Sequence, residues 1–190
     1  MPSVMRKDRS GKIVDVSASL AERWCRAGFA WMLSSDYKSL TASGDYATIT
    51  FKAPILGIVY YNFSGIDKSG NEIVKALYEG CTVSGGAALI ARNFNRNVAD
   101  ATCPLSSVKF GLSTDATPCT ISGGTRIFPG LVPGSAQGNS IPAGSSAMVG
   151  VVPLKPDTIY AVKFEAKGAA TFAAHVGLAI TGETVAMLLE

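Results

Sequence analysis

From residue 45 onward, short apolar stretches are cut by Gly, Pro, Asn and Asp before any of them could complete an ordinary helix. Most of the stretches between the cuts alternate in polarity or are rich in β-branched and aromatic residues, which is the pattern of strands. Residues 46–51 alternate, with Ile49 and Phe51 on one face. Residues 56–63 are rich in β-branched and aromatic residues and read as a buried strand. Further strands are expected at 72–79, 87–91, 106–112, near 119–121, and at 147–152, 158–166, 171–181 and 184–189. Residues 64–71, 97–105 and 113–118 read as turns or loops. About eight to ten short strands with Gly/Pro punctuation predict an all-β domain, a sandwich or jelly roll, over residues 45–190.

Residues 1–44 read differently and are expected to form an N-terminal arm. Arg6, Lys7, Arg9, Lys12, Arg23, Arg26 and Lys38 are mixed there with Asp8, Asp15, Glu22 and Asp36. Ser19 and Glu22 have capping-box spacing, and Leu20, Trp24, Ala27 and Trp31 follow at helical intervals, so a short helix is expected. Gly28 weakens that helix. Two alternatives stand: Trp24 and Trp31 pack on the domain's own core, or they plug pockets on a partner. The chain is 47% hydrophobic and only 16% charged, so surface buried against copies of itself or a large partner is expected. A net charge of +3 is too weak to argue for nucleic acid, and with four acids mixed into the basic arm no nucleic-acid contact is expected.

Two loops stand out. In the first, Gly80, Gly85 and Gly86 lead through a small apolar run into Arg92-Asn93-Phe94-Asn95-Arg96-Asn97. Asn hydrogen-bonds its own backbone and tolerates left-handed conformation, so this segment reads as a structured polar hairpin. Arg92 and Arg96 offer planar donors suited to carboxylates across an interface. The second loop spans residues 122–146 and is rich in Gly and Pro. It reads either as a solvated flexible loop or as one ordered by a neighbouring subunit with Ile127, Phe128 and Leu131 as anchors, since a plain linker would not need those apolar side chains.

Catalytic signals are weak. His175, the only histidine, lies in a strand pattern and is expected to be structural. Gly144-Ser145-Ser146 lacks the second glycine of a nucleophile elbow. The paired glycines are not followed by the Gly-Lys-Ser/Thr of a phosphate loop. Cys25, Cys81, Cys103 and Cys119 contain no Cys-x-x-Cys pair, so buried free thiols are expected rather than zinc ligands. Cys103 with Cys119 is the pair to expect should a disulfide form after lysis. No enzyme activity, cofactor or metal is expected. The first residues lack the apolar run of a signal peptide, and residues 171–180 are too short to span a membrane, so a cytosol-like compartment without membrane contact is expected.

Leu77-Tyr78-Glu79-Gly80, Gly85-Gly86, Asn93–Asn97, the Gly-rich stretch 122–146 and Leu154-Lys155-Pro156-Asp157-Thr158-Ile159-Tyr160 occur in this order. In pattern and order they resemble the decoration, or cement, proteins of tailed-phage heads, over roughly residues 45–182. The resemblance implies a structural virion protein, made in the host cytoplasm, that binds the outside of the capsid. It would act as an oligomer, expected to be a trimer, at junctions between major capsid proteins. On that reading Arg23, Trp24, Arg26 and Trp31 are candidates for the shell contact. Arg92, Asn93, Phe94, Asn95, Arg96, Ile127, Phe128 and Leu131 are candidates for the subunit interface. The alternative is a carbohydrate-binding or adhesin-like domain on a virion, with Tyr60, Tyr61 and the long loop as its ligand face. Residues 154–160 also resemble a strand start in fibronectin type III domains, where the tyrosine drops inward and bonds back to the turn. The buried early-strand tryptophan of that sandwich has no counterpart, so only the local chemistry is shared.

Overall fold

The computed structural model describes residues 5–7, 13–15, 25–36, 38–55, 58–67, 71–132 and 152–181. The strands are β1 (Met5–Lys7), β2 (Ile13–Asp15), β3 (Ala30–Ser34), β4 (Lys38–Leu40), β5 (Tyr46–Lys52), β6 (Ile58–Asp67), β7 (Ile73–Glu79) and β8 (Thr82–Ser84). They continue with β9 (Ala87–Ala88), β10 (Arg92–Asn93), β11 (Ser106–Leu112), β12 (Thr120–Ser122), β13 (Thr125–Val132), β14 (Val152–Leu154), β15 (Ile159–Ala166) and β16 (Ala170–Thr181). The molecule is all-β and sandwich-like. One sheet has the order β10-β3-β16-β6-β14, with β4 also on β16, and the other runs β13-β7-β15-β5-β11-β9. β16 packs across β5 and β15, and β6 across β13, so β10 and β13 lie at opposite edges of the sandwich. The ribbons β1-β2 and β8-β12 stand apart from both sheets.

The core follows from strand alternation. Ala47, Ile49 and Phe51 of β5 face Phe172, Ala174, Val176 and Leu178 of β16, and all are buried. Phe164 and Phe172 bring their rings to 5.7 Å between the sheets, and Phe51 stacks on Tyr160 at 5.8 Å. Each large apolar side chain so buried contributes about 1.5–3 kcal/mol relative to exposure. Tyr160 makes the inward corner expected of it. Its hydroxyl accepts from the Lys155 N–H at 2.7 Å and donates to Glu79 Oε2 at 2.9 Å, while Lys155 Nζ pairs with the same carboxylate. That ammonium and hydroxyl hold the Glu79 carboxyl below its ordinary range, and burial raises the Tyr160 phenol.

Several expectations are corrected. Trp31 is 3% exposed and sits in β3 opposite Leu178, so it belongs to the core and is withdrawn from the shell contact. Of the helix expected across 19–31, residues 25–27 are helical, Gly28 ends the helix with φ +79°, and residues 30–31 belong instead to β3, while residues 19–24 lie outside the described residues. Arg23 and Trp24 lie outside the described residues. The boundary at residue 44 also moves, because β3 and β4 are integral to the first sheet through β16. Residues 64–67, expected as turn, extend β6, and the long loop begins as a strand, β13, paired along β7. Residues 133–146 of that loop and the strand expected at 184–189 lie outside the described residues.

Candidate functional site

The site is built on the segment where β10 meets β3. Arg92 pairs with Met32 and Asn93 with Trp31, and the Phe94 N–H donates to the Ala30 carbonyl at 3.0 Å. The expected hairpin is therefore a loop laid against residues 25–32. Its rigidity comes from asparagine side chains. Asn93 is 1% exposed; its Nδ2 donates to the Gly28 carbonyl at 2.8 Å, and its Oδ1 accepts from the Asn95 N–H at 2.7 Å. Asn95 repeats the motif, with Nδ2 on the Arg26 carbonyl at 2.8 Å and Oδ1 on the Asn97 N–H at 3.1 Å. No asparagine here takes positive φ; side-chain bonds shape the turn together with the backbone bond from the Val98 N–H to the Asn95 carbonyl at 2.9 Å. Gly28 supplies the close fit: a Cβ there would come within 2.7 Å of Val98 Cγ2.

With Asn93 turned inward, alternation directs Arg92 and Phe94 outward. Phe94 is 47% exposed. Asp100 holds the two guanidiniums on either side of it, Arg92 Nη1 at 2.7 Å from Oδ2 and Arg96 Nη1 at 3.3 Å from Oδ1. Arg92, then the Asn93 N–H at 2.9 Å, keep the Asp100 carboxyl below its ordinary range. Exposed pairs of this kind add little stability. Their effect is to position cationic heads around an aromatic ring. Two shallow concavities flank the ring, about 350 Å³ beside Met32 and Arg92 and about 340 Å³ beside Cys25 and Arg26; Phe94 and Arg96 line both.

No family model, curated protein or solved structure matches this chain. The site is therefore read from its own geometry. Of the candidate interface residues, Phe94, Arg92, Asn95 and Arg96 come together in one patch. Asn93 is corrected to a buried support residue, because its side chain is spent on Gly28 and Asn95. Ile127 is 37% exposed on β13, at the opposite edge from Phe94. Phe128 and Leu131 occupy β13 positions opposite Leu77 and Val74. Consecutive rows of a strand alternate in face, so position 128 shares the row of core residue Leu77 and position 131 does not. Arg26 is exposed at the rim of the patch. Asp100, which positions both arginines, had no motif to reveal it in the sequence.

The histidine and the thiols lie elsewhere in the fold. His175 Nδ1 lies 2.8 Å from the Ser34 hydroxyl across the β16–β3 pair, and burial lowers its basicity. All four cysteines are free thiols. Cys103 packs against the core, and burial pushes its thiol up to about 11, whereas Cys119 lies against Gly86 and Gly111. A concavity of about 210 Å³ contains Cys81, Ser107 and Lys109, but burial raises the Cys81 thiol and so reduces its thiolate. Among the described residues no group of three or more His, Cys, Asp or Glu is placed to hold a metal, and no helix is long and apolar enough to cross a membrane. Tyr60 and Tyr61 are consecutive positions of β6, opposite Ala179 and Leu178.

Proposed function

We propose that this chain is a structural virion protein that binds the outside of a tailed-phage head as an oligomer and stabilises the shell at junctions between major capsid proteins. The supporting observation is Phe94, a half-exposed aromatic on a loop pinned by buried Asn93 and flanked by paired arginines. Aromatic and arginine side chains held rigidly in this way are the usual anchors of protein interfaces, because little ordering entropy remains to be lost on binding. The mechanism is mass action: a protein that binds only the expanded lattice stabilises that lattice against disassembly. The shell contact is assigned to the arm, with Arg23, Trp24 and Arg26, and the subunit contact to Arg92, Phe94, Asn95 and Arg96.

The test is co-sedimentation with heads of the phage that carries the gene, before and after expansion. Saturable binding to expanded heads, none to immature ones, and an oligomeric mass by light scattering are expected. Removing residues 1–24 is expected to abolish head binding and leave the sheets folded. Undiminished affinity after that deletion defeats the arm assignment, and a monomer that ignores expanded heads defeats the whole reading.

A further inference from the structure

We infer that the cleft between the β8-β12 ribbon and the outer face of the second sheet binds a small monocarboxylate, with its charge on Lys109 and its hydrocarbon end on Val83 and Ile159. Nothing in this depends on what the Phe94 loop meets. The cleft is the concavity of about 210 Å³ lined by Cys81, Thr82, Val83, Ser107, Lys109 and Ile159. Its place follows from strand register. Lys109 of β11 lies opposite Thr50, and Ile159 of β15 lies opposite Lys52, so the two flank β5 on one face of the sheet. That face is the outer one, because Ile49 and Phe51 of β5 belong to the core. Residues 81–83, at the start of the ribbon, close the third side.

Unmatched polar groups name the ligand. Two other lysines of this face are matched: Lys52 Nζ lies 2.6 Å from Asp157 Oδ1, and Lys163 Nζ lies 3.0 Å from Glu165 Oε2. Lys109 is half-buried, and its ammonium makes no ion pair or hydrogen bond among the described residues. The hydroxyls of Thr82 and Ser107 are likewise without a partner there. Ser107 is held at φ +52° where the β11–β5 register shifts, a strained backbone that brings its side chain to the same cleft as Lys109. Beneath, on β5 between the two walls, Thr50 is 1% exposed and its hydroxyl also meets no hydrogen-bond partner among the described residues. The Cys119 thiol stands near it but is a weak partner. One ammonium balances one negative charge, which suits a carboxylate better than a phosphate dianion, and the hydroxyls can donate to its oxygens. Val83 and Ile159 are half-buried and apolar, so the remainder of the ligand is hydrocarbon. The volume falls below the roughly 300–1,000 Å³ of ordinary small-molecule sites, so the acid is short.

Titration of the full chain with butyrate, followed by amide chemical shifts, tests this. Shifts that saturate and centre on residues 81–83, 107–109 and 159 are expected. Acetate should bind more weakly, because it lacks the tail, and butylamine and inorganic phosphate should leave those amides unmoved. Lys109→Gln is expected to weaken butyrate at least about tenfold, the loss when a hydrogen bond to a charged group is removed. Its melting temperature should match the wild type, since no ion pair is broken. Shifts that grow without saturating, an equal response to butylamine or phosphate, or undiminished affinity in Lys109→Gln overturns the site. The comparison of butyrate, butylamine and phosphate on the wild type decides the matter even where the variant folds poorly.

Discussion

Lys75 is fully buried on the row of β7 that also carries Ile73 and Leu77, and burial pushes its ammonium down to about 8 from 10.5. Between those values the unfolded chain binds the proton more tightly than the native one, so this residue's contribution to stability rises with pH. Cys103 acts in the opposite sense: its thiol goes from 9.0 to about 11, the native state keeps the proton longer, and stability falls through that window. Wild type compared with Lys75→Met isolates the lysine. The wild-type urea midpoint should gain on the variant's between pH 7.5 and 9, and parallel curves would contradict the buried-amine account. Tyr160→Phe strips the corner of both its hydrogen bonds. A loss of about 1–3 kcal/mol is expected, the range for a buried partner left unsatisfied, read from urea unfolding.

The elements around the site succeed or fail as units. Asn93→Ala removes the bonds that fasten the Phe94 loop to Gly28 and to Asn95. A cost of about 1–3 kcal/mol is expected, together with faster hydrogen exchange at the Asn95 amide and little change in the central strands. The β8-β12 ribbon depends on close backbone contact. A Cβ on Gly85, at φ +67°, would stand 2.2 Å from the Pro118 carbonyl oxygen. Gly85→Ala is therefore expected to lower stability by about 1–3 kcal/mol, or a melting point lower by roughly 2–4 °C per kcal/mol. Thr48 and Thr50 are buried with hydroxyls that meet no hydrogen-bond partner among the described residues, and burial, only partly offset by the nearby Thr50 hydroxyl, raises the Cys119 thiol.

For the molecule as a whole, the two sheets are closed by strands far apart in the chain. β3 enters the first sheet only through β16, and the Ser34–His175 contact joins residues 141 positions apart. Removing residues 1–24 leaves that pairing untouched, whereas removing 1–40 takes away β3, β4 and the core residues Trp31, Leu33 and Leu40. The shorter deletion should keep a cooperative thermal transition and the longer one should lose it. A cooperative melt after the longer deletion would show that the first sheet tolerates an open β16 edge.

Strand positions such as β5, β7, β11 and β15 were legible because alternation and Gly/Pro breaks are local properties, written within a few residues. The Tyr160 corner and the structured Asn loop were legible for the same reason: side chains there bond to their own neighbourhood. What the local pattern does not carry is partnership. Trp31 and Leu33 alternate as a strand should, but the helical spacing from Leu20 to Trp31 competes with that reading until β16 is in place to pair with β3. Asn93 is polar, yet it is buried because its position in β10 falls opposite Trp31. Register with a distant strand chose which side chain of the loop turned inward, and with it which aromatic was left for a partner. The sequence by itself determined where the chain extends and turns; the pairing of remote strands decided what is core, what is edge and what is offered to a neighbour, because burial is a property of two surfaces and a sequence window holds only one.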